Sequence, residues 1–401
     1  MKLSEIRLLI ILYAGDYREV CHRLAAGKGE THHSHKYTIN VITELSQRIE
    51  EVAVLCCKSE EPYNELVEKG FRVMGTGFDP YRQPKQLIKL IESHQPTHLV
   101  VRVPMQGIFR WAIRNQVRTL GILADSFPIA GLRNQIRNYL LARLLNHQAI
   151  EWVADHGINS CRSLQKIGVN PNKIIPWDWP HANTPDAFSP KQLRPNLNSL
   201  NLVYVGSVSE TKGVGDILEA IAKLQNRNLS VCLKIAGKGN IDHFLHRAKQ
   251  LNVEDRVKFL GLIPYQEVIH FMRSADIVLV PSRHDYPEGL PRTIYDGLCS
   301  RTPLVTSDHP MFQGNLEHET SALIFPAGNS TAMADCIEKL GSNPELYHCL
   351  SVNSCHAWQR LQIPVKWADL IKSWIDDSSE NRQWLFEHRL SSERYQLRLN
   401  H

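Results

Sequence analysis

The chain has 401 residues and a mass of 45.8 kDa, which fits two domains of roughly 150 residues each and excludes a single small binding module. Hydrophobic residues make up 43% and charged residues 22%, an ordinary globular composition that excludes disorder, collagen-like repeats and a coiled coil. The formal net charge of +5 is spread over a large surface, so charge alone gives no support for nucleic-acid binding.

The first apolar run, Leu8 to Ala14, is too short to span a bilayer and lacks the small-residue cleavage pattern of a secretory signal. It therefore predicts a buried strand. The nine cysteines are odd in number, and Cys56 and Cys57 are adjacent in an apolar run, so they do not indicate a disulfide framework. Together these features predict a cytoplasmic protein.

In the first half of the chain, short β-rich runs alternate with longer amphipathic segments, which predicts a parallel sheet covered on both faces. The predicted strands are Arg7 to Tyr13, Glu51 to Cys57, Thr97 to Val103, Arg118 to Ala124 and Ile150 to Val153. Six prolines then fall within the 25 residues from Pro171 to Pro195 and forbid a continuous helix or central strand. This proline-rich stretch marks a crossing between two domains.

The alternation restarts after the prolines and predicts a second doubly wound domain. The predicted strands are Leu202 to Val205, Ser230 to Ala236, Val257 to Leu260, Ile277 to Val280 and Leu304 to Thr306. The predicted helices are Asp216 to Gln225, Ile241 to Leu251, Tyr265 to Arg273, Leu290 to Cys299 and Thr331 to Leu340. Two such domains would place the carboxyl ends of their strands on a shared cleft.

The densest chemical signal is the run from Pro281 to Pro303, where a polar loop follows a predicted strand and leads into a helix. Pro291 falls where the first helical turn should start, so the loop from Glu288 to Leu290 would present free backbone N–H groups to a phosphate. Glu288 and Asp296 could both accept hydrogen bonds from sugar hydroxyls. A capped surface helix with solvated acids is the alternative interpretation.

Two glycine-rich turns follow other predicted strands. The turn from Gly206 to Asp216 is not a P-loop, but its Lys212 could neutralise a diphosphate; a solvated lysine is the alternative. The turn from Ala236 to Asn240 lacks the third glycine and the downstream acid of a dinucleotide fingerprint. It therefore predicts a tight strand-to-helix turn rather than an NAD site.

In the N-terminal half, the run from Gly27 to His35 follows the first strand, and its glycines allow close approach of a ligand to the backbone. Its histidines could suggest zinc, but a structural site needs four ligands and no cysteine lies nearby, so we predict no metal. Asp125 and Ser126 follow another predicted strand and either line the cleft or cap a helix.

Taken together, these motifs resemble the GT-B glycosyltransferases of the large retaining family four. The run from Glu288 to Asp308 is similar to the family's acid-x7-acid signature, and Phe259 to Ser282 is similar to the segment that precedes it. Gly206 and Lys212-Gly213 fall where the family has a glycine turn and a diphosphate-binding lysine. Gly27 to Glu30 resembles the family's glycine loop near the acceptor.

The resemblance implies an α/β GT-B fold, in which two Rossmann-like doubly wound domains face each other across a cleft. It implies an N-terminal acceptor-side domain over residues 1–180, a proline-rich linker over 181–199 and a nucleotide-sugar-binding domain over 200–354. A C-terminal segment over 355–401 is expected to return to the N-terminal domain with Trp367, Trp374 and Trp384.

The resemblance also implies transfer of a sugar, with retention of configuration and without metal or cofactor, from a nucleotide-diphosphate donor to an acceptor hydroxyl. Lys212 and the amides after Glu288 would hold the diphosphate, Glu288 would contact the donor sugar and Asp296 the ribose. The expected catalytic residues are Glu288, Lys212 and Asp125. The donor side adds Gly206, Ser207, Gly237, Gly289, Leu290, Pro291 and Asp296, and the acceptor side has Gly29, Glu30 and His32. The acceptor would be a glycan, a lipid-linked molecule or a small molecule, as in glycan, glycolipid or cell-envelope polysaccharide synthesis.

Three positions depart from the family pattern. Ser207 stands where arginine is common, Asp296 replaces the usual second glutamate, and Ala124 falls where many members carry a histidine, a contact that His32 could supply. A GT-B nucleotide-sugar epimerase or phosphorylase-like enzyme is therefore one alternative. A catalytically weak nucleotide-sugar-binding subunit is another, and a metal-dependent hydrolase built on the histidine cluster is a third.

Arginines recur along two amphipathic segments of the N-terminal half. They are Arg110 and Arg114 in the first segment, and Arg133, Arg137 and Arg143 in the second. Solvated faces of sheet-covering helices explain this spacing. Peripheral contact with an anionic membrane at the inner face is the sharper hypothesis.

Overall fold

The structure is a computed structural model that describes residues 2–13, 15–30, 34–194 and 199–396. The described residues form two units. The first contains the described residues up to Pro180 and those from Ile363 onward, and the second extends from His181 to Gln362. Each unit is an α/β domain built on a largely parallel sheet, in the Rossmann-like layout.

The first unit is built on a sheet whose inner strands are almost wholly apolar. Its described strands are β1 (Arg7–Leu12), β2 (Glu51–Cys56), β3 (Pro62–Glu68), β4 (Phe71–Thr76), β5 (His98–Val101), β6 (Arg118–Leu123), β7 (Ile150–His156) and β8 (Ile174–Trp177). They are arranged in the order β3-β4-β2-β1-β5-β6-β7-β8, and β3 alone is antiparallel to its neighbour. The strand β1 is central because its run of leucines and isoleucines can be buried on both faces.

Helices cover this sheet and bury their apolar sides against it. They are α1 (Tyr17–Ala25), α2 (His35–Ser46), α3 (Pro84–His94), α4 (Gln106–Arg114), α5 (Leu132–Leu145) and α6 (Ile158–Lys166). The helix α1 begins after Asp16, whose carboxylate caps it by accepting hydrogen bonds from the N–H groups of Arg18 and Glu19. The run from Gly27 therefore follows a helix, and not the first strand directly as the sequence suggested.

The second unit has a sheet in which all neighbouring strands are parallel. Its described strands are β9 (Leu200–Val205), β10 (Val231–Ala236), β11 (Val257–Gly261), β12 (Ile277–Val280), β13 (Leu304–Ser307) and β14 (Leu323–Phe325), in the order β11-β10-β9-β12-β13-β14. Its helices are α7 (Val214–Asn226), α8 (Ile241–Gln250), α9 (Tyr265–Ser274), α10 (Arg292–Cys299), α11 (Ser330–Ser342) and α12 (Pro344–Leu361).

The remaining helices return to the first unit. They are α13 (Trp367–Asp376), α14 (Ser379–Glu387) and α15 (Glu393–Gln396). Trp367 and Trp374 are buried in the first unit's apolar core, and Trp384 packs against that core while partly exposed. The indole N–H of Trp374 donates to the Glu151 carboxylate at 2.8 Å, and its ring lies edge-on to His98.

The boundaries of the units differ from those that the sequence predicted. Residues 181–194 pack on the second unit, where the carbonyl oxygen of Pro185 accepts from Arg301 at 3.1 Å and Phe188 contacts the core. The helix α12 continues to Leu361, and its Trp358 is buried in the second unit. Hence residues 181–194 are no separate linker, and residues 355–361 belong to the second unit because the helix that carries them has its apolar side there.

The strands that the sequence analysis missed are mostly at the edges of the sheets. The strand β3 lies at one edge, and its residues are largely exposed and rich in charge, so no apolar run marks it. Its neighbour β4 was missed with it. Only four residues form β8, which overlaps the prolines at Pro176, and only three form β14.

All nine cysteines are free thiols. Within the described ranges, no helix is both long enough and apolar enough to cross a bilayer.

We expect Trp374→Ala to lower the free energy of unfolding of the first unit by about 3 to 5 kcal/mol, because it leaves a large cavity and removes one hydrogen bond to Glu151, which stays paired with Arg118. Urea denaturation followed by circular dichroism checks this. The control is Phe386→Ala, at an exposed aromatic of the same C-terminal segment. Equal midpoints for both variants would show that this segment does not stabilise the first unit.

Candidate active site

The parallel sheet of the second unit has its topological switch point between β9 and β12. The chain passes from β9 to β10 on one side, while β12 pairs with β9 on the other. Loops leaving the carboxyl ends of these two strands therefore diverge and leave a crevice, which is where open α/β sheets bind ligands. We call residues 206–213 the first loop and residues 281–291 the second loop. They lead into α7 and α10 respectively.

Three contacts hold the second loop against the first loop and against the helix α7 that follows it. The backbone N–H of Arg283 donates to the carbonyl oxygen of Thr211 at 2.9 Å. Gly213 has φ of 76°, and a Cβ atom there would lie 2.2 Å from the carbonyl oxygen of Pro281, so only glycine fits. The guanidinium of Arg283 donates to both oxygens of the buried Asp216 carboxylate, at 2.8 and 2.5 Å.

The structure brings together Lys212 of the first loop and Glu288 of the second. Their side chains form an ion pair, and both are largely buried, with 13% and 9% of their surfaces exposed. The hydroxyl of Ser282 donates to the same oxygen of Glu288 at 2.9 Å. The ammonium of Lys212 also lies 4.4 Å from the ring centre of Tyr286. A positive and a negative group thus stand side by side at the switch point.

Asp296, in the first turns of α10, is buried and paired with Arg292 one turn before it, at 3.0 Å. Burial raises the pKa of Asp296, and the Arg292 guanidinium opposes the rise. Arg292 also contacts the His181 ring nitrogen at 2.6 Å and donates to the Tyr265 hydroxyl at 2.5 Å. Asp296 thus pairs with Arg292, whereas Glu288 pairs with Lys212 and Ser282, and the expectation that both acids reach one ligand stays a prediction.

The N-terminus of α10 presents backbone donors to the crevice. The N–H groups of Gly289, Leu290 and Thr293 have no acceptor among the described residues. The sequence predicted a free N–H at Glu288 as well. In the structure this N–H donates to the carbonyl oxygen of Tyr286 at 2.7 Å. The helix begins at Arg292, so Pro291 is its N-cap residue with φ of −70° and lies just outside the first turn. Such a helix end favours an anion.

The glycine turns after β9 and β10 pack backbone against backbone. The N–H of Gly206 donates to the carbonyl oxygen of Ala236 at 3.0 Å. A Cβ atom on Gly237 would lie 1.7 Å from the carbonyl oxygen of Gly206. Ser207 is exposed, and its carbonyl oxygen accepts from the Tyr204 hydroxyl at 2.7 Å. Gly206 and Gly237 thus shape the floor of this crevice, while Ser207 adds no cation to it.

In the first unit, Asp125 lies just after the carboxyl end of β6 and is half-buried. Burial raises its pKa to about 6, and Arg102 opposes the rise. Arg102 follows β5, and its guanidinium lies 5.4 and 5.1 Å from the ring centres of Trp177 and Trp179. The buried Asp155 accepts from the N–H of His156 at 2.8 Å. Burial is the main cause that raises the pKa of Asp155, and the charge of Asp125 raises it further.

The predicted acceptor loop has local structural contacts. The carbonyl oxygen of Gly29 accepts from Arg23 at 3.1 Å, and the Glu30 carboxylate accepts from the N–H of Lys36 at the start of α2, at 3.3 Å. His32 lies outside the described residues. Burial lowers the pKa of His35 to about 4. No group of three or more histidine, cysteine or acidic side chains in the described ranges could hold a metal ion.

Sequence reasoning missed Arg283, Arg292 and Arg102. Arg283 and Arg292 stood within the run that was singled out, but their partners are remote: Asp216 is 67 positions from Arg283, and His181 is 111 positions from Arg292. Arg102 lies in the predicted strand Thr97 to Val103, one residue before the strand's end at this edge of the sheet. That position was the signal that could have found it.

Comparisons with known proteins agree with this geometry. Residues 186–355 match the family model described as "Glycosyl transferases group 1". The chain is 30% identical over 161 residues to the amylovoran biosynthesis glycosyltransferase AmsK of Erwinia amylovora. That match covers 39% of this chain and 39% of the relative, so the similarity spans about two fifths of each protein.

Solved structures resemble the chain over nearly its whole length. Sucrose-phosphate synthase of Thermosynechococcus elongatus superposes with a TM-score of 0.66 at 16% identity, covering 95% of this chain and 99% of that one. HepE of Anabaena, solved in complex with UDP-glucose, has a TM-score of 0.62 at 15% identity and covers 93% and 99%. Residues 186–355 thus match a glycosyltransferase group 1 domain, and the chain has the GT-B fold of these solved structures.

Proposed function

We propose that the protein transfers a sugar from a nucleotide-diphosphate donor to an acceptor hydroxyl, with retention of configuration, as in family four. The Lys212–Glu288 pair at the switch point of the second unit carries this proposal. It puts a cation for a diphosphate beside a carboxylate for a sugar, next to two helix N-termini. HepE was solved in complex with UDP-glucose, and AmsK is named as a glycosyltransferase of amylovoran biosynthesis, which supports the same class of reaction.

The diphosphate would bind where the positive groups converge. Lys212 would exchange Glu288 for phosphate oxygens, and the free N–H groups of Gly289 and Leu290 would donate to the same phosphate. Gly206, Ser207, Gly237 and Pro291 would form the surrounding wall. Arg283 lies close by with 36% of its side chain exposed, and could supply the positive charge that Ser207 lacks.

The acids would bind the rest of the donor. Glu288, once released by Lys212, would accept from hydroxyl groups of the sugar while Ser282 keeps it oriented. Asp296 has one oxygen occupied by Arg292, which leaves the other for the ribose hydroxyls. Asp125, Gly29, Glu30 and His32 would serve the acceptor side, with Asp125 as a catalytic group.

The positive groups would also replace a divalent ion, so we propose no metal and no cofactor. Charge that develops on the leaving phosphate would be stabilised by Lys212 and by the N-terminus of α10. The acceptor hydroxyl would attack from the side of the leaving group and pass its proton to the departing phosphate. A cytoplasmic location, peripheral at a membrane, and a glycan, lipid-linked or small-molecule acceptor belong to this proposal.

We expect Lys212→Ala to weaken donor binding and to slow transfer by roughly 10- to 100-fold, since a charge-assisted hydrogen bond contributes about 1.5 to 3 kcal/mol. Thermal shifts with UDP, GDP and ADP sugars, together with nucleotide release, measure the two effects. Lys234→Ala removes an exposed lysine of the same unit and is the matched control. Because the variant leaves Glu288 unpaired, Lys212→Ala with Glu288→Gln separates lost binding from lost stability.

The products decide among the alternatives. Nucleotide released together with a glycosylated acceptor identifies a transferase, and an altered sugar still attached to its nucleotide identifies an epimerase. Donor binding without any turnover would point to a binding subunit. Unchanged donor affinity and rate in Lys212→Ala would remove this lysine from the site.

Asp125 gives the reaction an expected dependence on pH. Its carboxyl group has a pKa raised to about 6, so it is ionised above that pH and protonated below it. If the ionised form is needed, the transfer rate falls as pH drops through about 6. Asp125→Asn should lower the rate at neutral pH and abolish this acidic limb. A limb that persists unchanged in the variant would assign it to another group.

We expect activity to survive chelation, because the positive groups at the site come from the protein itself. Transfer is measured after treatment with EDTA, with a magnesium-dependent enzyme treated alongside as the positive control. Loss of activity that divalent ions restore would refute metal independence.

A further inference from the structure

The outer faces of α4 and α5 carry exposed arginines that have no acidic partners. These arginines are Arg110, Arg114, Arg133, Arg137 and Arg143, and none of them forms an ion pair with another described residue. Other surface arginines do pair, such as Arg48 with Asp376 at 2.7 Å and Arg227 with Glu338 at 2.6 Å. Five exposed arginines without an ion pair to a described residue thus lie together on these two helices.

The sequence explains why these arginines lack partners. Between Glu92 and Glu151 the chain has seven arginines, no lysine and a single acid, Asp125. The helix α5 itself contains no aspartate or glutamate. Positive charge is thus concentrated on this part of the first unit, although the whole chain has a net charge of only +5.

Large apolar side chains lie exposed among the arginines. Leu132, Ile136 and Tyr139 follow one side of α5 at a spacing of four and three residues, and they are 77%, 61% and 60% exposed. Ile129, just before the helix, is 56% exposed. The residues of α5 that the core needs lie on its other side: Leu141, Ala142 and Leu145 are buried. Core packing therefore does not account for the exposed stripe.

The two helices form one continuous surface. The side-chain amide of Gln106 in α4 donates to the carbonyl oxygen of Arg137 in α5 at 2.8 Å, and Arg110 donates to the same glutamine at 2.6 Å. The guanidinium of Arg143 lies 6.0 Å from the ring centre of Tyr139. We call this surface, formed by the exposed side chains of residues 106–114 and 129–143, the α4–α5 face.

We propose that the α4–α5 face docks on an anionic lipid bilayer, with its arginines at the headgroup phosphates and Leu132, Ile136 and Tyr139 in the interfacial layer. Positive charge with exposed apolar side chains on one helix fits that environment, because it offers anions and apolar contacts together. A second copy of this chain fits poorly, since two like faces would repel each other. Nucleic acid would leave the leucine and the isoleucine without a partner.

The α4–α5 face also adjoins the carboxyl edge of the first unit's sheet. Burial raises the pKa of Tyr81 to about 12, Asp125 adds to the rise, and Arg137 opposes it, so this tyrosine lies near both charges. Docking on a membrane does not itself depend on the proposed function. Its role in catalysis does rest on that function, because docking would bring a lipid-linked acceptor close to Asp125.

The test is co-sedimentation of the full chain with vesicles of phosphatidylcholine alone and of phosphatidylcholine with phosphatidylglycerol in equal parts. Two variants separate the contributions: Arg133→Gln with Arg137→Gln removes charge, and Leu132→Ser with Ile136→Ser removes apolar contact. The control for charge is Lys69→Gln with Lys249→Gln, at exposed lysines outside the face, and the control for apolar contact is Leu66→Ser on the edge strand β3.

We expect binding to the anionic vesicles alone, weakened by salt, as attraction between exposed charges requires. The arginine variant should bind at least roughly tenfold more weakly, since each arginine near an anionic surface contributes about fivefold. The leucine–isoleucine variant should also bind more weakly, and both controls should bind like the parent chain. No binding, equal binding to neutral vesicles, or equal losses in the controls would overturn the inference. Donor hydrolysis in solution, measured on the same variants, reports separately on the proposed function.

Discussion

The site of the second unit depends on one constraint: three carboxylates are buried at one edge of its sheet, and each needs a positive partner. They are Glu288, Asp216 and Asp296, and their partners are Lys212, Arg283 and Arg292 respectively. An ionised carboxylate buried without a partner costs several kcal/mol, so the loops must hold each cation in place. The glycine at position 213 helps to meet this requirement. Because it has no Cβ atom, the first loop can lie close enough to Pro281 of the second loop for these pairs to form.

The three pairs differ in how easily a ligand can replace one member. Asp216 and Arg283 join through two hydrogen bonds, and Asp296 and Arg292 are neighbours on the same helix, so both pairs are fixed by local geometry. Lys212 and Glu288 come from different loops, and Glu288 has a second donor in Ser282. A phosphate that takes over Lys212 would therefore leave Glu288 still held by one hydrogen bond. The exchangeable pair is the one to which we assign donor chemistry, and the fixed pairs keep its surroundings rigid.

Sequence reasoning reached the parts of this arrangement that are encoded locally. An apolar run ended by a polar loop located β12 at its observed bounds, Ile277–Val280, and glycines after strands marked the turns at Gly206 and Gly237. Pairs such as Arg283 with Asp216 could not be predicted, because only the order of strands in the sheet brings distant loops together. The edge strand β3 escaped for another reason: an exposed strand needs no apolar side chains, so its sequence resembles a loop.

The positive groups of the second unit's crevice are paired with carboxylates, whereas the arginines of the α4–α5 face in the first unit are exposed to solvent. In the crevice of the second unit each of the three cations is neutralised by a buried carboxylate, and the charge of Lys212 becomes available when a ligand replaces Glu288. On the α4–α5 face, Arg133 and Arg137 are exposed and form no ion pair with another described residue, so an external anion can approach them directly. Charge of the first kind selects a ligand by geometry, whereas charge of the second kind attracts any anionic surface and weakens with salt. Donor binding and docking would therefore respond differently to ionic strength and can be altered by separate mutations.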